Sequence, residues 1–148
     1  DHTSGAEAGK PTPRAHVADN DLALGRVIEA LTHSPYWKNT VVFVLEDDAQ
    51  DGPDHVDSHR SPMLVISPYN RTGVVHRFAN TSDVVATIGA ILKLRPLSQF
   101  DYFGRPLSEI FATAPQLGTD AAVDAVLRFD EAVEVVGIVR GSHVLVQQ

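Results

Sequence analysis

Two short, uninterrupted apolar runs constrain the fold of this 148-residue chain more than any other feature. They lie within Thr40–Leu45 and Met63–Ser67, and neither alternates polar with apolar residues. Strands exposed on one face show that alternation, so continuous apolar strands indicate a sheet that is covered on both faces. We predict an α/β fold in which the two runs are neighbouring strands, with helices over Val17–Leu31 and Val84–Leu94 packed on them.

The first predicted helix has apolar residues that mostly recur at intervals of three and four. Asp19–Asp21 supply residue types that favour a helix start, and Thr32–Pro35 is expected to end the helix. Tyr36 and Trp37 follow directly, and we expect this aromatic pair to seat the helix on the sheet.

The later part of the chain gives weaker signals. Asn80–Asp83 has the composition of a helix cap and predicts the start of the second helix. Beyond it, Thr119–Glu131 is predicted to be helical, and Val133–Val139 with His143–Val146 is predicted to form a hairpin.

A dense acidic segment separates the two apolar runs. Glu46–His59 holds six carboxylates and two imidazoles in fourteen residues. Asp47 and Asp48 follow five apolar residues with only Glu46 between, and adjacent carboxylates near a buried strand end are costly unless a cation or a donor neutralises them. Carboxylates with histidines therefore predict a divalent metal site at this strand end. The same composition also suits a solvated connecting loop, and the residues alone leave both interpretations open.

The composition excludes several functions. The net charge of -7 argues against nucleic acid as the main partner, because phosphate-backbone binding needs a basic face. The chain has no cysteine, so disulfides, thiolate metal sites and a cysteine nucleophile are excluded. No apolar stretch approaches 18 residues, so no membrane span is predicted.

Three pieces of the sequence together resemble the alkaline phosphatase superfamily, in particular its bacterial phosphoesterase family with the phospholipase C and acid phosphatase-like enzymes. They are Asp19–Arg26 with Ser34–Thr40, then Glu46–Asp48 with Asp54–Val56, then His59–Tyr69. The resemblance covers roughly residues 1–110, and the tail matches no family pattern. It implies a hydrolase with a central, mostly parallel sheet between helices. Residues 1–115 would form the C-terminal part of that domain, and residues 116–148 a tail of uncertain structure.

The resemblance also implies roles for individual residues. Asp47 and Asp48 align with the adjacent metal-ligand pair of the superfamily, and His59 aligns with its late histidine ligand. His55 is a candidate second ligand or proton donor to the leaving group. Two N-terminal residues, Asp1 and His2, are further candidate metal ligands, although Gly5 stands where the superfamily often has a histidine. The implied cofactor is a divalent ion of zinc, manganese, calcium or iron, and the implied substrate is a phosphate ester or phospholipid.

The nucleophile of such enzymes, a Ser or Thr alkoxide, lies N-terminal of the segment that this chain resembles. We therefore expect this chain to be the C-terminal half of a metal-dependent phosphoesterase that needs the missing N-terminal half and has little activity alone. The family resemblance favours a periplasmic or secreted protein. Two alternatives stay open: a non-catalytic α/β module whose acidic loop binds a cation or a partner, and a truncated product with a degraded site.

Overall fold

The computed structural model describes residues 7–46, 62–71, 73–115 and 143–145, which form a mixed α/β arrangement. Its elements, in chain order, are helix α1 (Pro13–Thr32), strand β1 (Val42–Leu45), strand β2 (Met63–Ile66), helix α2 (Thr81–Leu92), the short helix α3 (Gln99–Tyr102) and strand β3 (His143–Leu145). Single 3-10 turns occupy Trp37–Asn39 and Ser108–Ile110.

The described strands form one antiparallel sheet in the order β1-β2-β3. Val42 of β1 lies opposite Ile66 of β2, and Leu45 lies opposite Met63. β3 pairs with the other edge of β2, with Val144 opposite Val65. The two apolar runs are thus neighbouring strands, as predicted, but the mostly parallel sheet is not seen among the described strands. Continuous apolar residues report burial on both faces and carry no information about strand direction.

The sheet is covered on both faces, which explains the continuous apolar runs. On one face Ile66 is buried with Ile28 of α1 and with Trp37, and alternate residues of β1 and β2 pack against them. On the other face Met63 and Val65 are buried with Val84 of α2. Because side chains alternate across a strand, each side chain of β2 lies in one of these two apolar layers. Both predicted helices therefore pack on the sheet.

Helix α1 begins at Pro13, four residues before the predicted start at Val17. Thr12 is the N-cap, its side chain accepts a hydrogen bond from the N–H of Ala15, and Pro13 stands in the first turn. Asp19–Asp21 lie inside the helix, so their assignment as starting residues is wrong. Thr12 has the residue type of a cap, and proline is favoured at the first helical position because its missing N–H has no intrahelical role there.

The prediction that Tyr36 and Trp37 both pack between the helix and the sheet is confirmed for Trp37 and wrong for Tyr36. Trp37 is buried between α1 and the sheet, whereas Tyr36 is exposed.

Helix α2 starts as predicted: Asn80 is the N-cap, and Asn80 and Asp83 form a capping box. The helix ends at Leu92, and Lys93 follows with a left-handed backbone, φ 55°. Thr119–Glu131 and Val133–Val139 lie outside the described residues, while the strand expected near His143 is present and pairs with β2.

Candidate functional site

The two described residues that flank the connection between β1 and β2 lie next to each other at one end of the sheet. Leu45, the last residue of β1, lies opposite Met63, the first residue of β2. One residue further on, the N–H of Glu46 donates a hydrogen bond to the carbonyl of Pro62 at 3.4 Å. The chain therefore departs from β1 and returns to β2 at adjacent points, which is how an antiparallel connection differs from a crossover.

The sequence-predicted site residues lie outside the described residues. This holds for all six: Asp1, His2, Asp47, Asp48, His55 and His59. The predicted convergence of the two adjacent carboxylates with a histidine thus stays a prediction. Within residues 7–46, 62–71, 73–115 and 143–145, no three His, Cys, Asp or Glu side chains are grouped so that they could hold a metal ion.

The structure contains a polar cluster that the sequence did not predict, formed around Asp83 and Arg77. Asp83 lies at the start of α2 with 5% of its side chain exposed. Its carboxylate accepts hydrogen bonds from the backbone N–H of Arg105 at 2.7 Å and from Nη2 of Arg77 at 3.3 Å. A third, longer hydrogen bond comes from the N–H of Asn80 at 3.4 Å. One buried carboxylate thus joins the helix start to Arg77, six residues before it, and to Arg105, 22 residues after it.

Burial and these donors act on Asp83 in opposite directions. Burial raises the pKa of its carboxyl, but the hydrogen bond from the Arg105 N–H, the Arg77 guanidinium and the Asn80 N–H together lower it further. The net effect holds the pKa of Asp83 below its ordinary value, so the group is an anion at neutral pH. A carboxylate in that state is unsuited to act as a general acid.

All three nitrogens of the Arg77 guanidinium donate hydrogen bonds to oxygen atoms of the protein. Nη1 donates to Oε1 of Glu109 at 2.7 Å and to the carbonyl of Pro106 at 3.2 Å. Nη2 donates to the Arg105 carbonyl at 2.6 Å in addition to Asp83, and Nε donates to the Phe78 carbonyl at 3.4 Å. Burial lowers the pKa of Arg77, whereas Glu109 and Asp83 raise it, and the net shift is upward. Because its donors are occupied, Arg77 organises the chain and is not available to bind a phosphate.

A second polar link runs from the same helix. The hydroxyl of Thr87 donates to the carbonyl of Asp83 at 2.6 Å and accepts from the N–H of Leu107 at 2.8 Å. Thr87 and Leu107 are both buried. The segment after residue 104 is therefore fastened along α2, where it places Leu107 and Ile110 in the core beside β2.

The spacing of Asn80 and Asp83 signals the helix cap in the sequence, but the partners of Asp83 are not readable there. Arg105 lies 22 residues beyond Asp83, and Glu109 lies 32 residues beyond Arg77. Neither separation corresponds to a helical or strand period, so only the folded chain reveals the cluster.

A cavity of about 390 Å³ lies between the start of α2 and α3. The described residues that line it are Asn80, Ser82, Asp83, Gln99, Phe100, Phe103, Gly104 and Arg105. The Asp83 carboxylate at this cavity is already occupied by hydrogen bonds, so we assign the cavity no catalytic role.

Comparison with known proteins decides the family. The family model described as the phosphoesterase family matches residues 7–95, which is more than half of the chain. The chain belongs to the phosphoesterase family. The matched range runs from before α1 to just after α2 and contains Asp47, Asp48, His55 and His59, but not Asp1 or His2. No curated protein and no solved structure matches this phosphoesterase chain.

The phosphoesterase match covers most of the described elements. The match includes both apolar strands, the segment that joins them and the two helices that cover the sheet. Among the described residues, no helix is long and apolar enough to cross a membrane.

Proposed function

We propose that this chain supplies the metal-binding part of an enzyme that hydrolyses phosphate esters. The observation that carries the proposal is the phosphoesterase match, which spans the acidic segment and both strands that flank it. The juxtaposed ends of β1 and β2 support it further, because the connection that contains Asp47 and His59 in sequence starts and finishes at the same end of the sheet.

The donor set fits a divalent cation. Asp47 and Asp48 would provide oxygen ligands and His59 an imidazole nitrogen, a combination that suits zinc, manganese or iron. Asp1 and His2 are secondary candidates that rest on the family resemblance alone. A divalent ion bound there would polarise the phosphoryl oxygens and stabilise the leaving oxygen.

His55 is proposed as the proton donor to the leaving group. An imidazole has an ordinary pKa near 6.5, so it exchanges protons readily around neutral pH. Its place in the acidic segment, between Asp48 and His59 in sequence, puts it in the same connection as the proposed ligands. It would release the leaving oxygen as an alcohol rather than as an alkoxide.

The attacking alkoxide is proposed to come from a part of the enzyme that this sequence does not contain. The chain then contributes ligands and an acid, and the N-terminal half of the domain contributes the positioned nucleophile. Such a division of labour predicts metal binding by this chain together with weak hydrolysis.

Calorimetric titration of zinc and manganese into the full chain tests the proposal. We expect saturable binding that is weakened at least tenfold in Asp48→Asn, since one ligand charge is removed. Asp51→Asn removes the same charge from the same segment at a residue outside the proposed ligand set, so it is the matched control and should bind nearly as the parent does. Equal loss in both variants would show that the segment attracts cations only by its overall charge, which is the behaviour of a non-catalytic acidic loop.

A further inference from the structure

The surface formed by residues 94–103 is apolar and open to solvent. Its large side chains are each more than half exposed: Leu94, Leu97, Phe100, Tyr102 and Phe103. Leu97 is 81% exposed and Phe103 is 78% exposed. Contiguous exposed apolar surface of this kind usually marks an interaction site. We refer to residues 94–103 as the apolar patch.

The apolar patch is held in a defined shape. Ser98 caps α3, and the Asp101 carboxylate accepts hydrogen bonds from the backbone N–H groups of Leu97 at 2.8 Å and Ser98 at 2.6 Å. The rings of Tyr102 and Phe103 stand edge to face with centroids 5.0 Å apart. The apolar side chains are therefore presented by an ordered, doubly capped turn, and little ordering remains to be done when a partner binds.

Positive charge borders the apolar patch. Arg95 lines a shallow concavity of about 870 Å³ together with Leu97 and Phe103. Phe103 also lines the smaller cavity that contains Arg105. Residues 93–105 hold the cations Lys93, Arg95 and Arg105 against one carboxylate, Asp101, in a chain whose net charge is -7. Nη2 of Arg105 lies 3.9 Å from Oδ2 of Asp83, whereas Lys93 and Arg95 form no ion pair with a described residue. The local charge is thus opposite in sign to that of the whole chain.

We propose that the apolar patch binds the surface of an anionic lipid bilayer. Exposed aliphatic and aromatic side chains with cations at their border are the combination that enters the headgroup region of a membrane. Anionic headgroups attract nearby Lys and Arg and would offset the repulsion between the bilayer and the acidic remainder of the chain. The patch lies on the bilayer in this proposal, which is independent of the proposed hydrolysis.

The charges favour a lipid surface over a second copy of the chain. A twofold dimer places the same surface of both copies together, so it would bring Lys93 and Arg95 of each copy toward the same cations of the other. Neither residue forms an ion pair within the described part of the chain that would relieve this repulsion. An anionic bilayer pairs the same cations with opposite charge.

Vesicle co-sedimentation of the full chain tests the proposal directly. We expect binding to vesicles of phosphatidylglycerol with phosphatidylcholine and about tenfold weaker binding to phosphatidylcholine alone. Leu97→Glu with Phe103→Glu should abolish most of the binding. Val17→Glu is the matched control, because Val17 is 65% exposed on α1, outside the apolar patch, and should bind as the parent does.

A spectroscopic variant keeps the test informative if the double glutamate variant misfolds. The chain contains one tryptophan, Trp37, which is buried away from solvent. In Leu97→Trp the new indole is the only exposed one, and its emission should shift to the blue when anionic vesicles are added. Lys93→Gln with Arg95→Gln should weaken that shift, since it removes the bordering charge.

Three results would overturn the proposal. Absence of binding of the parent to anionic vesicles is the first, and equal loss of binding in Val17→Glu and in the apolar patch variants is the second. The third is sedimentation of the parent as a dimer, without lipid, that Leu97→Glu converts to a monomer, because the patch would then be covered by a second copy. Each measurement reports binding and not hydrolysis, so the outcome is separate from that of the proposed function.

Discussion

Arg77 donates a hydrogen bond from Nη2 to Oδ2 of Asp83 at 3.3 Å. Asp83 is buried, whereas the Arg77 side chain remains 20% exposed. The pair fixes the start of α2 against the segment that continues toward Glu109. Since a buried carboxylate is stable only with its donors in place, the fold should depend strongly on the protonation of Asp83.

The unfolding free energy should therefore fall in acid. The folded pKa of Asp83 is depressed below its ordinary value because the hydrogen bonds from Arg105, Arg77 and Asn80 outweigh burial. Between the folded and unfolded pKa values the unfolded chain binds more protons, so this stabilisation is fully present above about pH 4 and is lost as pH falls through the folded pKa. Urea unfolding at several pH values measures the slope.

Asp83→Asn should lose part of that acid dependence and cost about 2 kcal/mol at neutral pH, because its amide leaves one buried donor contact unpaired. Asp19→Asn is the control, since Asp19 is exposed on α1. Asp101 also has a lowered pKa, chiefly through the Ser98 hydroxyl, so some acid dependence should persist in Asp83→Asn. A variant as stable and as acid-sensitive as the parent would contradict the role assigned to Asp83.

Thr87→Val should destabilise the fold although it conserves shape. The valine cannot accept the hydrogen bond from the buried N–H of Leu107, and an unsatisfied buried donor costs about 1–3 kcal/mol. Thr87→Ser retains the hydroxyl and should recover most of the loss. Denaturant midpoints of the three proteins provide the comparison, and equal losses for valine and serine would assign the effect to packing instead.

Two glycines should respond to alanine in opposite directions. A Cβ at Gly104 would lie 2.7 Å from the carbonyl oxygen of Ser82 and 2.9 Å from Cβ of Ala86, so Gly104→Ala should cost about 1–3 kcal/mol. A Cβ at Gly89 meets nothing within 4 Å inside α2, so Gly89→Ala should stabilise by about 0.5–1 kcal/mol. Thermal unfolding of both variants measures the difference, and a Gly104→Ala protein as stable as the parent would contradict the close approach of this turn to α2.

The full chain should hydrolyse p-nitrophenyl phosphate and bis-p-nitrophenyl phosphate only slowly in the presence of zinc, manganese or calcium. If the attacking alkoxide comes from outside this sequence, as proposed above, electrostatic stabilisation supplies only part of the rate. Initial-rate assays measure this. Turnover near the usual enzyme median of about 10 per second, abolished by Asp47→Ala, would show that the chain holds a complete site.

The core of the fold was readable from the sequence because it depends on local composition. The apolar runs predicted two adjacent strands, and Asn80 with Asp83 predicted the start of α2. Strand direction was not readable, because the connection over residues 46–62 is long enough for either an antiparallel return or a crossover. The proposed ligands follow from residue types and family resemblance, and their convergence stays a prediction.

The polar cluster was not readable for a different reason. The partners of Asp83 are the guanidinium of Arg77, which precedes α2, and the backbone N–H of Arg105, which the chain brings back to the helix start after α2. A backbone donor has no sequence signature, and Arg105 would be judged from sequence as one more surface cation. Tyr36 was misassigned because aromatic character predicts burial only on average, and the turn at residues 37–39 directs Trp37 alone into the core.

Because Glu46 and Pro62 lie next to each other, the connection between β1 and β2 could be exchanged for another of different length. For a flexible connection between two such adjacent ends, the free-energy cost of closure rises only logarithmically with its length, and each doubling costs about 0.6 kcal/mol. Relatives could lengthen or shorten this connection without disturbing the pairing of β1 with β2. The same property makes residues 47–61 a suitable place to graft a foreign ligand-binding loop while the two covered faces of the sheet keep their packing.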